Sequence, residues 1–70
     1  METKKLSDSQ ANVLEKIARR SKMDDWFQID SNNEVDRDDI VTLIEGATDY
    51  DFEALSPSDM NFLANLLINL

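Results

Sequence analysis

The sequence contains no cysteine and no histidine, and these two absences remove much of the chemistry open to a protein. Without thiols there is no disulfide framework, zinc ribbon, iron–sulfur cluster or cysteine nucleophile. Without imidazole the commonest general base, metal ligand and pH switch are missing. Glycine and proline occur once each, so neither a glycine-rich phosphate loop nor a proline-rich linker can be built. Long apolar runs are also lacking. The first twenty residues hold no signal-peptide core, and the longest uncharged stretch, Met60 to Leu70, is interrupted by three asparagines and is too short to cross a bilayer. A cytoplasmic protein with no membrane partner is expected.

What is present is a chain of 70 residues, 41% apolar and 31% charged, with a formal charge of −8. That apolar content, arranged with regular periodicity, marks a folding chain and argues against an acidic disordered tail. A chain of this size buries only about 60% of the surface it exposes when unfolded, so its helices must pack closely or copies must associate. The charge is uneven. Residues 1 to 22 carry six basic and three acidic side chains, a balance of +3, whereas residues 23 to 70 carry Arg37 alone against twelve acids, a balance of −11. Such asymmetry bears on solubility and on charged partners, not on the fold.

Val13, Leu14, Ile17 and Ala18 recur on one face of a helical period and predict a first helix from Leu6 to about Met23. Ser7 and Gln10 have the spacing of a capping box at its start. Glu15 and Arg19 are placed for an i, i+4 ion pair, and Lys16, Arg19, Arg20 and Lys22 suit the negative end of the helix dipole. Trp26 to Asp30 is aromatic and β-branched, Ser31-Asn32-Asn33 has turn chemistry, and Glu34-Val35 reads as a return strand, which together predict a small hairpin over Trp26 to Val35. Phe27 and Ile29 would then face inward and Gln28 and Asp30 outward. A second helix is expected from Arg37 or Asp38 to Glu45, with Asp36 as N-cap and Gly46 as a left-handed residue ending it. Thr48 to Ala54 reads as a polar connection carrying Tyr50 and Phe52. The third helix is marked by Ser56 as N-cap, Pro57 in the first turn, Asp59 at the third position, and Leu55 and Met60 placed as a hydrophobic staple. Its Phe62, Leu63, Leu66, Leu67, Ile68 and Leu70 spread over more than one face.

Few residues point to chemistry. Asp30, Asn32, Glu34, Asp36 and Asp38 alternate like the ligands of an EF-hand loop, which makes Asp30, Asn32, Glu34 and Asp36 the candidate metal ligands. Val35 stands where that loop needs glycine and Val41 where it needs a bidentate glutamate, so weak divalent-cation association is the most the pattern offers. The run from Leu6 to Ile17 resembles the opening helix of winged-helix repressors. The following helix, however, carries Asp38, Asp39 and Glu45, which phosphates repel, so no direct nucleic-acid binding is expected. The acidic excess after residue 22 would instead suit an inhibitor or DNA mimic that occupies a basic groove, although acids also simply keep a small apolar globule dissolved. Carboxylates are numerous, but general acid–base work needs one of them desolvated in a pocket, and the interior is too small to supply one. Trp26 and Phe27 are either core or an exposed recognition pair, core being the commoner fate in a small domain.

The run Ala18-Arg-Arg-Ser-Lys-Met-Asp-Asp-Trp-Phe-Gln-Ile-Asp30, with Leu-Ile-Glu-Gly46 downstream and a leucine-rich final helix after Leu55-Ser-Pro, resembles short uncharacterised bacterial proteins carried on conjugative and other mobile elements. Members of that group often have cysteine where Asp25 stands here. The resemblance implies bacterial cytosol and a helix, hairpin, helix, helix layout, and no mechanism.

The expectation is therefore a single mostly helical α+β domain over residues 1–70, with residues 1–5 disordered; the alternative is an all-α three-helix bundle. The expected function is that of a non-catalytic protein–protein interaction module without a cofactor, its partner another protein or a second copy held through the last helix. The interaction surface is expected at Phe62, Leu66, Ile68 and Leu70, with Asp38 and Asp39 on the acidic side.

Overall fold

The computed structural model describes residues 2–70. The chain runs β1 (Thr3–Lys5), α1 (Asp8–Arg20), β2 (Glu34–Asp36), α2 (Arg37–Gly46), α3 (Asp49–Phe52) and α4 (Pro57–Ile68). The fold class is α+β and mostly helical, as the periodicity predicts, and the two-stranded sheet excludes the all-α alternative.

Local sequence explains the helix starts. The Ser7 hydroxyl accepts from the Gln10 N–H at 3.1 Å, and the Gln10 side chain accepts from the Ser7 N–H at 3.0 Å, closing the predicted capping box. Ser56 and Asp59 repeat the arrangement at α4, with Pro57 in the first turn. Asp36 caps α2 through the Asp38 N–H at 2.9 Å. Leu6 lies outside α1; its N–H donates to the Asn33 carbonyl at 2.7 Å, and its side chain joins the core.

The expected return strand at Glu34 and Val35 is present as β2, but its partner is not the one predicted. Trp26 to Asp30 forms no strand: the N–H groups of Trp26 and Phe27 turn back onto the Met23 carbonyl. β2 pairs instead with β1, antiparallel, with Lys4 opposite Val35. Thr3–Lys5 is thus ordered secondary structure, which corrects the expectation of disorder there; Met1 lies outside the described residues. The reason is geometric. Asp30 and Asn33 do make the expected tight turn, with Asn33 in the left-handed region at φ 58° and the Asp30 carboxylate accepting from the N–H groups of Asn32 and Glu34. Helix α2 begins at Arg37, however, so β2 is three residues long, and its whole ladder goes to the N-terminal segment. The inward alternation still holds without a ladder: Phe27 is buried and Ile29 half-buried, while Gln28 and Asp30 are exposed.

Two chain reversals have causes invisible in the local pattern. Helix α1 ends in a Schellman motif, the Met23 N–H reaching the Ala18 carbonyl at 2.8 Å and the Lys22 N–H the Arg19 carbonyl at 3.2 Å. Lys22 takes the left-handed position, φ 61°, where glycine is the unstrained residue. Lys22→Gly is therefore expected to raise the unfolding free energy by about 1 kcal/mol, read as a higher urea midpoint at unchanged slope. Gly46 has no such conformation, correcting the expected left-handed cap. It is the last residue of α2, and a Cβ there would lie 3.3 Å from the Met23 sulfur, so glycine makes room for Met23.

The core lies where α4 covers α1. Ala11, Val13, Leu14, Ile17 and Ala18 of α1 meet Leu63 and Leu66 of α4, with Ile40 and Leu43 of α2, Leu6, Val35 and Phe27 completing the cluster. The two long helices run antiparallel, since Lys16 reaches Asp59 at the start of α4 and Lys4 reaches the Asn69 carbonyl at its end. The short helix α3 lies inside the segment expected as a polar connection, which corrects that expectation. It is held by the buried carboxylate of Asp51, which accepts from the Thr48 N–H and hydroxyl, and by Arg20, whose guanidinium lies 4.0 Å from the centre of the Tyr50 ring and donates to the Tyr50 carbonyl. Thr48-x-x-Asp51 is itself a cap-like spacing, the signal that would have found it.

Candidate functional site

Three places deserve comparison: a groove beside Phe27, the acidic turn after Ile29, and the outer face of α4. The groove encloses about 340 Å³ between α1 and the 24–29 segment, with Ala18, Phe27 and Ile29 at its floor and Glu15, Arg19, Asp24 and Gln28 at its rim. Glu15, Asp24 and Arg19 are solvent-exposed, so neither carboxyl of the groove is desolvated as general acid–base work requires. The expected Glu15–Arg19 ion pair is not formed; among the described residues the ion pairs are Lys16–Asp59 and Arg37–Glu2. The aromatic pair divides. Phe27 is core and Trp26 is 41% exposed, its ring set edge-on to Phe27 at 5.8 Å.

The candidate metal ligands do not converge. Asp30 is committed to two backbone N–H groups, Asp36 caps α2, and Glu34 accepts from the Thr3 hydroxyl at 3.2 Å. Among the described residues no group of three or more acidic side chains is gathered as a metal site would need. The alternation that suggests a calcium loop is produced by a turn followed directly by a helix N-terminus, which scatters the side chains.

Helix α4 is different. It buries Leu63 and Leu66, and at about 100° per residue Met60, Ala64, Leu67 and Ile68 share one arc beside that buried face, with Leu67 and Met60 on its flank and Ala64 and Ile68 turned away from it. All four are exposed, Met60 at 44%, Leu67 at 42% and Ile68 at 80%. They form one stripe at i, i+4, i+7 and i+8, flanked by Asn61 and Asn65 and carrying no ionisable side chain. This revises the expected surface. Ile68 belongs to it; Leu66 is 1% exposed and part of the chain's own core; Leu70 packs half-buried against that core; Phe62, 37% exposed, lies on the far flank. Asp38 is exposed and Asp39 half-buried, both on α2. The missed residues are Met60, Ala64 and Leu67; on a helical wheel centred on Leu63 and Leu66, Ala64 is turned away from the buried face while Met60 and Leu67 lie at its edge. Wheel position alone does not say which apolar arc of so greasy a helix faces the core.

A scan against protein-family models finds no match, and neither does a search of the curated proteins or of the solved structures. No helix among the described residues is long and apolar enough to cross a membrane.

The stripe is held in place by the ends of α4. Asp59, which accepts from the Ser56 N–H, also receives the Lys16 ammonium at 2.8 Å, fixing the start of α4 on α1. The Lys16 hydrogen bond, and after it the Ser56 N–H, hold the Asp59 carboxyl below its usual pKa. A carboxylate with a lowered pKa in the folded state contributes stability above its unfolded value, and that contribution is lost as pH falls through the folded value. Acidification below about pH 4 is thus expected to loosen α4. Urea midpoints measured from about pH 5 downward should fall less steeply for Asp59→Asn than for the wild type.

Proposed function

We propose that this chain is a non-catalytic protein–protein interaction module whose contact face is the outer side of α4. The observation that carries the reading is the stripe Met60, Ala64, Leu67, Ile68: four adjoining apolar side chains on a rigid helix, left uncovered by a fold that packs its other long helix well. Single exposed apolar residues are ordinary, and Val41, Tyr50 and Trp26 lie singly on separate elements. A contiguous row at helical spacing is the pattern of helix-to-helix recognition, where anchors at i, i+4 and i+7 enter a partner's groove.

The test is selection of helical peptides from a displayed library against the immobilised protein. The expected binders carry an apolar stripe of their own, stay bound in about 0.5 M NaCl because the contact is not ionic, and lose affinity for Leu67→Ser and Ile68→Lys. Binders that are instead basic, elute at moderate salt and ignore both substitutions would overturn the reading in favour of an acidic inhibitor or DNA mimic acting on a basic nucleic-acid-binding protein.

A further inference from the structure

We infer that the occupant of the α4 stripe is a second copy of this chain, packed antiparallel about a two-fold axis that passes beside Ala64; the inference rests on the stripe being a contact face. Charge supplies the first argument. Two copies of a chain with formal charge −8 repel over most approaches, and α4 from Met60 onward offers a face with no ionisable side chain. A basic partner would gain nothing by settling there, whereas a like-charged copy can approach closely there without desolvating a carboxylate. Symmetry supplies the second. Ala64 lies midway along the stripe, and its small side chain lets two helix backbones come close where the axis passes; reversing one copy sets Leu67 of each against Met60 of the other, and sets opposite ends of the two helix dipoles side by side. Asn61 and Asn65 border the contact, where their amides can bond to each other or to water.

Size sets the strength. Helix α4 has twelve residues, about 18 Å at the rise of an α-helix. One such face is smaller than the ~800 Å² per partner of a standard interface. The pairing is accordingly weak, with a dissociation constant of about 10 μM to 1 mM.

Because the chain has no cysteine, single-cysteine variants report the geometry directly. Sedimentation velocity of the wild type should pass from monomer to dimer over that concentration range, and Ile68→Lys should weaken the dimer at least about tenfold. That substitution adds a positive charge to an acidic chain, so the loss cannot be assigned to greater net repulsion. Ala64→Cys should form a disulfide-linked dimer on mild oxidation, since the Cβ atoms meet near the axis. Ser58→Cys, on another arc of α4, should not. A wild-type chain that stays monomeric to about 1 mM, a dimer indifferent to Ile68→Lys, or equal cross-linking of the two cysteine variants would each overturn the inference. If the chain is monomeric yet the selected helical peptides still bind the stripe, self-association fails alone; if the peptides also fail, the contact face fails with it.

Discussion

Leu66→Ala is expected to lower the unfolding free energy by about 2–5 kcal/mol, the range for truncating a fully buried leucine. Leu66 is 1% exposed and fills the seam in which α4 covers Leu14 and Ile17. A chain of 70 residues has roughly 4–10 kcal/mol of total stability by the usual per-residue scale. The variant therefore loses a large part of its stability and unfolds in mild urea, followed by far-ultraviolet circular dichroism. Two positions on, Ile68→Ala removes an isomeric aliphatic side chain of the same size from a site that is 80% exposed, and is expected to change the monomer's stability by less than about 0.5 kcal/mol. The contrast between two aliphatic residues so close on one helix is the measurement. Equal effects would mean that α4 sits on α1 with a different rotation.

Asp51→Ala should have the next largest effect, about 1–3 kcal/mol, because it strands the Thr48 N–H and removes the group that starts α3. A helix of four residues cannot sustain itself by propagation, so its order comes from its ends and its contacts. The Asp51 carboxylate, 5% exposed, accepts from the Thr48 N–H at 2.9 Å and from the Thr48 hydroxyl at 3.2 Å. Asp51→Asn keeps an oxygen in that place and is expected to recover most of the loss. Amide hydrogen exchange should localise the damage, rising across residues 48–53 before it rises in α1. If Asp51→Ala costs less than about 0.5 kcal/mol, Arg20 stacked on Tyr50 alone holds this turn to the end of α1.

What could be read from the sequence was what depends on neighbouring residues. The caps at Ser7, Asp36 and Ser56 were legible because a cap is a bond between residues two or three apart. The left-handed Asn33 was legible for the same reason. The strand partner was not: Lys4 meets Val35 across the whole of α1 and the segment after it, and no local pattern says that a lysine-rich N-terminal segment will satisfy the ladder of β2. The role of Gly46 was hidden likewise, since it is set by Met23, brought there by a Schellman turn on a lysine. The site was half legible. Composition showed that the last helix has more apolar surface than one face can bury, but the assignment of Leu66 inward and Leu67 outward depends on how α4 is rotated against α1, which tertiary packing decides.

The antiparallel pairing of α1 with α4 has a consequence for how the molecule is made. Lys4 and Asn69, 65 residues apart, end up within one hydrogen bond, and Lys16 waits for Asp59, 43 residues later. A ribosome adds about 5–20 residues each second, so for seconds the nascent chain carries Val13, Leu14 and Ile17 without Leu63 and Leu66 to cover them. The core cannot be closed while α4 is still inside the exit tunnel. The first helix made is therefore buried by the last.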